Sequence, residues 1–251
     1  MVTAGRTAAV VLAAGKGTRM KRDVPKVLVP LAGRSMLAFV LDALAEAGVL
    51  REDIIVVVGY RHEEVTRFLG GGYRWVRQTE QLGTGHAVMA ARPELAGFQG
   101  TLMVLSGDVP LIPPAVIRDL RSAHGAARPA GTVLTAEMAD PTGYGRIVRD
   151  AAGRMAAIVE ERDASEAQRR VREINSGSYC FDPATLFDAL DRVGNDNAKG
   201  EYYLTDVIRV MIGDGRAVLT VPAPDPRRVL GVNTEAELRA AEAVLLNEAK
   251  A

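Results

Sequence analysis

Val10-Val11-Leu12-Ala13-Ala14-Gly15-Lys16-Gly17-Thr18-Arg19-Met20 is an apolar run that breaks into small residues, two glycines and two cations. The run from Ala8 to Ala13 has strand length and no polar residue, as expected of a strand covered on both faces. Small residues let the backbone approach a phosphate closely enough for its N–H groups to bond it. Lys16 and Arg19 would add charge-assisted bonds to the phosphate oxygens. Two better-known loops are excluded. A Walker A loop needs four residues between its first glycine and a Gly-Lys-Ser/Thr end. The dinucleotide fingerprint needs a third glycine, where Met20 stands. Lys21-Arg22-Asp23-Val24-Pro25 follows, and Val24 before Pro25 is biased away from helix. The loop is therefore expected to stay extended and to carry Lys26 beyond it. Arg19, Lys21, Arg22 and Lys26 form a local basic cluster.

Outward from this loop, short apolar runs alternate with helical patterns. Ser35 caps a helix with Leu37, Val40, Leu41 and Leu44 on one face and Gly48 at its end. Ile54 to Val58, Trp75 to Gln78 and Thr101 to Leu105 have strand character; Gly85 to Ala91 and Pro114 to His124 have helical character. The order β-α-β-β-α-β-α argues for a mostly parallel sheet with covering helices. After Gly125 the texture changes. Thr132 to Glu137, Tyr144 to Val148 and Arg172 to Phe181 are expected strands, with turn chemistry at Asp140-Pro141-Thr142-Gly143. Pro183 to Arg192 and Thr205 to Ile212 are expected helices and Ala217 to Val221 a further strand. Thr234 to Lys250 is an amphipathic helix opened by a Thr234–Glu237 capping box. The expected fold is α/β, with a mixed β region added in the second half.

The composition permits one sizeable core. The chain has 251 residues, 48% of them hydrophobic, and 31 basic against 31 acidic side chains. That balance offers no bulk surface for nucleic acid. No apolar run approaches the roughly 20 residues of a membrane span, and the N-terminus lacks a signal pattern. The single cysteine, Cys180, has no partner for a disulfide and no metal spacing; it is expected to be buried, and its usage fits a reducing cytoplasm. His62, His86 and His124 show no metal spacing either and are expected in solvated or core roles. The absence of Cys/His and Ser/His/Asp patterns argues against covalent catalysis.

Asp108 stands just past the buried run Leu102 to Leu105, in Ser106-Gly107-Asp108-Val109-Pro110. Ligands of open α/β sheets bind at that edge. One hard carboxylate there suits Mg²⁺, which takes its other ligands from water and substrate phosphates. Gln78-Thr79-Glu80-Gln81-Leu82-Gly83-Thr84-Gly85-His86 offers amides and free N–H groups that can read a nucleobase edge, with Thr84 as a helix cap. Glu160, Asn175 and Asn233 interrupt apolar surroundings and must be hydrogen-bonded if buried. Taken singly, each is expected to find its partner in the backbone.

Assembled in order, these segments resemble the uridylyltransferase domain of the bifunctional N-acetylglucosamine-1-phosphate uridylyltransferase/glucosamine-1-phosphate acetyltransferases, within the sugar nucleotidyltransferase superfamily. The resemblance runs through Leu12 to Met20, Pro25-Lys26-Val27-Leu28, Glu80 to Ala87, Gly107 to Ile112, Asp140 to Ile147, Ile158-Val159-Glu160, Gly200-Glu201-Tyr202-Tyr203-Leu204-Thr205-Asp206 and Gly231-Val232-Asn233. It implies a Rossmann-like nucleotide-diphospho-sugar transferase fold. It implies that Leu12, Ala13, Ala14, Gly15, Gln78, Gly83, Thr84, Ser106 and Gly107 hold the uridine nucleotide. Arg19 and Lys26 contact its phosphates as the catalytic cations. Asp108 and Asn233 bind Mg²⁺, and Gly145, Glu160, Asn175 and Asn233 hold the sugar. The family usually has His where Val29 stands, Thr where Ser176 stands and an aromatic where Ser106 stands; the last puts one nucleotide contact in doubt.

The activity implied is uridylyl transfer from UTP to N-acetylglucosamine 1-phosphate, giving UDP-N-acetylglucosamine and pyrophosphate in the cytoplasm, a supply step for peptidoglycan and the cell wall. The alternatives are transfer to another sugar 1-phosphate, such as glucose 1-phosphate, and a non-catalytic regulatory subunit that binds nucleotide sugars. Residues 1–233 are expected to form the nucleotidyltransferase domain and 234–251 a helix that starts a linker. The family's second half, a left-handed β-helix of hexapeptide repeats, is absent from the 251 residues. Acetyl transfer is therefore not expected of them, and a monomer is.

Overall fold

The computed structural model describes residues 5–20 and 22–248. Lys21 of the basic cluster and Lys250 of the last expected helix lie outside the described residues. The strands are β1 (Thr7–Ala13), β2 (Pro30–Leu31), β3 (Arg34–Ser35), β4 (Ile54–Val58), β5 (Arg74–Arg77), β6 (Thr101–Ser106), β7 (Gly131–Glu137), β8 (Arg146–Arg149), β9 (Met155–Val159), β10 (Glu173–Phe181) and β11 (Val218–Pro222). The helices are α1 (Met36–Glu46), α2 (His62–Leu69), α3 (Thr84–Ala90), α4 (Pro114–Ala127), α5 (Glu166–Arg169), α6 (Pro183–Leu190), α7 (Asp206–Gly213) and α8 (Glu235–Glu248).

Nine strands form one sheet in the order β11-β7-β10-β6-β1-β4-β5, with β8 and β9 attached through β10. The β6-β1-β4-β5 half is parallel throughout. The antiparallel strand β10 joins it to β7, β8 and β9, the added mixed region. The chain leaves β1 towards β4 and β5, then returns on the other side of β1 as β6. The carboxyl ends of β1 and β6 thus flank a topological switch point, where such sheets bind ligands. Leu12 stands opposite Ser106 there, and the Gly107 N–H donates to the Leu12 carbonyl at 2.9 Å. A Cβ on Gly107 would lie 2.9 Å from that same oxygen, so this approach requires glycine.

Alternation along β1 divides the core. Ala9, Val11 and Ala13 pack with α1 and α4 on one face, and Ala8 and Val10 pack with α3, α6 and α7 on the other. A third cluster joins Met20, Val29, Leu31 and Met36 to Val232, Leu238 and Ala241, seating α8 against the segment that follows the glycine-rich loop. Val29, where the family usually has His, is fully buried in this cluster. Cys180 and His124 are buried as expected, and burial raises the thiol's pKa and lowers the imidazole's.

Three local expectations are corrected. The loop does not stay extended: a 3₁₀ turn forms over Thr18–Met20, with the Met20 N–H donating to the Gly17 carbonyl at 3.0 Å. Burying Met20 in the third cluster pulls the chain round, and Gly17 permits it at φ +61°, where a side chain would overlap Lys26 Cβ. The order after β4 contains an unexpected helix, α2; of its eight residues only Val65 and Leu69 are buried, too few to mark a periodic face. The Thr234–Glu237 box is also displaced. Thr234 Oγ accepts from the Glu237 N–H at 3.2 Å, but the Glu237 carboxylate reaches back to the N–H of Asn233, at 2.6 Å.

Arg146 is the one arginine among the largest fully buried side chains, only 1% exposed. It pairs with Glu161 at 2.6 Å and donates to the Tyr144 and Arg169 carbonyls. Arg146→Ala breaks the pair and strands both carbonyls, so it is expected to cost about 3 kcal/mol. Urea unfolding checks this as a lowered midpoint; an unchanged midpoint would show that the pair contributes no net stability.

Candidate active site

Four side chains converge beyond the switch point. Lys26 Nζ forms an ion pair with Asp108 and donates to Asn233 Oδ1 at 2.6 Å. Arg19 Nη2 donates to the same Oδ1 at 2.8 Å. Asn233 Nδ2 is tied to the Gly231 carbonyl at 3.2 Å, which turns the amide oxygen towards the cations. The Val232 N–H donates to the Asp108 carbonyl at 2.8 Å and fixes the two strands of backbone together. A carboxylate oxygen and an amide oxygen thus meet at one cationic nitrogen. That is a hard-oxygen donor set of the kind Mg²⁺ takes, so the residues present fit the metal. No group of three or more His, Cys, Asp or Glu that could hold a metal occurs among the described residues.

Of the expected nucleotide residues, Ser106 and Gly107 lie at the β1–β6 pair with Leu12, and Gln78, Gly83 and Thr84 lie beyond β5. The Gln78 N–H donates to Val58, and its Nε2 contacts the Gly83 carbonyl at 3.0 Å and His86 Nδ1 at 3.1 Å. Among the described residues, no protein group donates to Gln78 Oε1. Gly83, at φ +111°, is the N-cap of α3, and a Cβ there would meet Tyr202 backbone atoms. Thr84 is not the cap: its hydroxyl instead accepts from the Leu204 N–H at 3.0 Å, across the cleft edge. Ala14, at the end of the glycine-rich strand, accepts from the Tyr60 N–H at 3.1 Å. Gly15 is exposed beyond it, and Lys16 sits over the Tyr60 ring.

Three of the expected sugar residues, Gly145, Glu160 and Asn175, meet around β8–β10, and the fourth, Asn233, lies in the cation cluster. The Asn175 N–H donates to the Gly145 carbonyl at 2.9 Å, and a Cβ on Gly145 would lie 3.4 Å from Glu160 Oε1. The backbone partners expected for the isolated polar residues are largely replaced by side chains. Glu160 accepts from the Thr205 hydroxyl at 3.1 Å, and Asn175 Nδ2 donates to Tyr179 at 2.6 Å. Asn175 Oδ1 does take a backbone N–H, that of Gly177. Buried groups take whichever partner the tertiary fold brings, which local sequence does not display. Gly177, at φ +78°, lies where a Cβ would be 3.1 Å from Ser106 Oγ, so the hydroxyl standing at the family's usual aromatic position faces β10. Ser176 keeps a local role, accepting from the Ser178 N–H.

These clusters close into a ring along one sheet edge. Thr205 follows Leu204, linking Glu160 to Thr84; Tyr144 beside Gly145 reaches the Gly231 carbonyl at 3.5 Å, linking the sugar side to Asn233. Tyr144, Thr205 and Gly231 were not singled out individually in the sequence, and Glu237 was read only as half of a capping box. Thr205 and Gly231 lie inside the quoted motifs, but only the tertiary contacts give them roles. A cavity of about 240 Å³ adjoins the ring, lined by Glu160, Asp163, Tyr203, Thr205 and Asp206. A larger one, about 940 Å³, opens at the opposite edge around Thr7, Thr101 and His124, away from these groups.

Burial raises the Glu160 carboxyl's pKa, with Asp163 and Asp206 adding to it against the Thr205 hydrogen bond. A folded pKa above the unfolded one means that ionised Glu160 costs stability as pH rises through the folded value, and costs nothing well below the ordinary value of 4.5. Glu160→Gln is expected to raise the melting temperature at pH 7 and to give no gain in acid below that value. Calorimetry at both pH values checks this; an equal gain at both would remove the electrostatic cause.

Residues 9–175 match the family model described as MobA-like NTP transferase domain. The chain belongs to the MobA-like NTP transferase domain family. Among curated relatives, it is 53% identical over 237 residues to the "Bifunctional protein GlmU" of Heliobacterium modesticaldum, covering 94% of this chain and 51% of that protein. It is 48% identical over 238 residues to the protein of the same name from Pelotomaculum thermopropionicum, covering 95% and 52%. The chain spans about half the length of the curated relatives it matches. A solved structure, UDP-glucose pyrophosphorylase complexed with UDP-glucose, superposes with a TM-score of 0.76 over 97% of this chain and 99% of that one, at 18% identity. The fold is therefore the Rossmann-like one of the nucleotide-diphospho-sugar transferases. The MobA-like match takes in the glycine-rich loop, Lys26, Asp108 and Asn175 and stops before Asn233. Among the described residues no helix is long and apolar enough to cross a membrane.

Proposed function

We propose that this MobA-like domain transfers the uridylyl group of UTP to N-acetylglucosamine 1-phosphate in the cytoplasm, with Mg²⁺. The observation that carries the reading is the convergence of Arg19, Lys26, Asp108 and Asn233 at the switch point between β1 and β6. The stretches Gln81 to His86 and Gly200 to Asp206, which set the resemblance apart from other sugar nucleotidyltransferases, meet each other through Thr84 and Leu204.

A phosphate oxygen of the sugar 1-phosphate attacks the α-phosphorus of UTP. The bond from that phosphorus to the bridging oxygen breaks, and pyrophosphate leaves with the electron pair. The nucleophile is already ionised at neutral pH, so no protein base is required. Lys26 and Arg19 neutralise the two approaching polyanions, and the glycine-rich backbone from Leu12 to Gly15 offers close approach to the phosphates. Gln78 Oε1 accepts from the base, and Glu160 and Asn175 orient the sugar. Asp108 and Asn233 would hold Mg²⁺, which supplies Lewis-acid stabilisation of the leaving phosphates.

Pyrophosphate release with UTP and Mg²⁺ tests the reading, comparing N-acetylglucosamine 1-phosphate with glucose 1-phosphate, glucosamine 1-phosphate and no sugar. Strong preference for the N-acetylated sugar is expected. Release with another sugar would remove the substrate while keeping the reaction. No release from folded protein that binds UTP would replace the enzyme by a nucleotide-sugar-binding regulator.

A further inference from the structure

We infer that Glu237, on α8, is a positioning residue that holds Asn233 in its metal-binding orientation. The inference rests on Asp108 and Asn233 being the Mg²⁺ ligands, as proposed above. Asn233 immediately precedes Thr234, the cap of α8. Its backbone is restrained on each side. The preceding residue, Val232, donates to the Asp108 carbonyl at 2.8 Å, and Asn233 itself donates its N–H to Glu237 Oε2 at 2.6 Å. The side chain is then turned by its own bond to Gly231, at 3.2 Å. Oδ1 is left facing Lys26 and Arg19 at 2.6 and 2.8 Å.

The displaced capping box is the informative feature. An N3 glutamate ordinarily returns to the N–H of the cap residue itself. Glu237 instead bonds the residue before the cap, the one that carries the proposed metal ligand. Thr234 supplies the ordinary half, accepting from the Glu237 N–H. Helix α8 is in turn anchored by Leu238 and Ala241 against Met20, Val29 and Leu31, and by a Glu235–Arg22 ion pair at 2.5 Å. One element thereby fixes the end of the glycine-rich loop and the amide oxygen facing it. Glu237 touches neither metal nor substrate in this arrangement; it acts through Asn233. Loss of a partner that orients a metal ligand typically weakens metal affinity about 10–100-fold.

The test is Mn²⁺ affinity, read by electron paramagnetic resonance of free Mn²⁺ titrated into the full chain with UDP-N-acetylglucosamine bound. The variants are Glu237→Ala, Glu237→Gln, Leu238→Ala and Asn233→Ala. Glu237→Ala is expected to weaken Mn²⁺ about tenfold or more, while Glu237→Gln, which keeps an acceptor oxygen, restores affinity to near wild type. In turnover, Glu237→Ala should raise the Mg²⁺ concentration for half-maximal rate without moving the KM for the sugar phosphate. Leu238→Ala loosens helix docking and should lower the melting temperature with a smaller effect on Mn²⁺. Equal weakening by Leu238→Ala and Glu237→Ala at matched stability would overturn the inference and leave Glu237 a mere helix anchor. Wild-type Mn²⁺ affinity in Glu237→Ala would overturn it outright. Unchanged affinity in Asn233→Ala would overturn the metal assignment, and the inference with it.

Discussion

Asp108→Asn is expected to lower kcat about 10²–10³-fold while leaving the fold in place. The substitution keeps the side chain's shape and one acceptor oxygen but removes the charge proposed to hold Mg²⁺. A metal stabilising leaving phosphates supplies several kcal/mol, and each 1.36 kcal/mol is a factor of ten, so about 3–4 kcal/mol is at stake. The backbone is insulated from the change, because Val232 bonds the carbonyl of residue 108 and not its side chain. The stability cost comes from Lys26, whose side chain is 11% exposed and loses its carboxylate. It retains Asn233 at 2.6 Å and an amide oxygen in place of the carboxylate, which limits the loss to about 1 kcal/mol. Single-turnover rates at saturating UTP and Mg²⁺, together with urea melts, separate the two effects. A fall in kcat of less than tenfold would remove Asp108 from the metal site.

Lys26→Ala is expected to give a comparable loss, about 10²–10³ in kcat, on the scale of losing one preorganised donor to developing charge. It carries a second, opposite signature. Lys26 Nζ contacts both oxygens proposed for the metal. Asp108 and Asn233 would hold Mg²⁺ with Lys26 turned to the nucleotide phosphates, so on the proposed assignment Lys26 and the metal would compete for the same two oxygens. Without nucleotide, Lys26→Ala should therefore bind Mn²⁺ about tenfold more tightly than wild type, the worth of one charge-assisted hydrogen bond. Slower turnover with tighter metal binding in one variant is hard to obtain from misfolding. Slower turnover with weaker metal binding would mean that Lys26 supports the metal site and does not compete for it.

The parallel half of the fold was legible where β1, β4 and β6 are apolar runs and α1 carries an apolar stripe, and less so at β5, Arg-Trp-Val-Arg, and at α2, which buries only Val65 and Leu69. Ile54 to Val58 and α1, with Ser35 accepting from the Ala38 N–H, stand where the sequence places them. The mixed half was less legible. Strand β9, Met-Ala-Ala-Ile-Val, has little β-branched character until its end, and it is held by pairing with β8. The glycine-rich loop and Asp108 could be found by their chemistry. The purpose of Glu237 could not: in the sequence it completes a capping box, and only the structure shows its carboxylate one residue further back. Likewise Gln78 announces an amide, but not that its nitrogen is engaged by Gly83 and His86.

The seating of α8 has a consequence for biosynthesis. Lys26 and Asn233 are 207 positions apart, and the residue that holds Asn233 comes later still. A ribosome adding about 5–20 residues per second exposes the glycine-rich loop long before it makes this helix. The parallel strands can pair and the nucleotide-facing loops can take shape while Asp108 has only Lys26 for company. On the metal assignment proposed above, the emerging polypeptide would lack a complete site until α8 leaves the exit tunnel and docks.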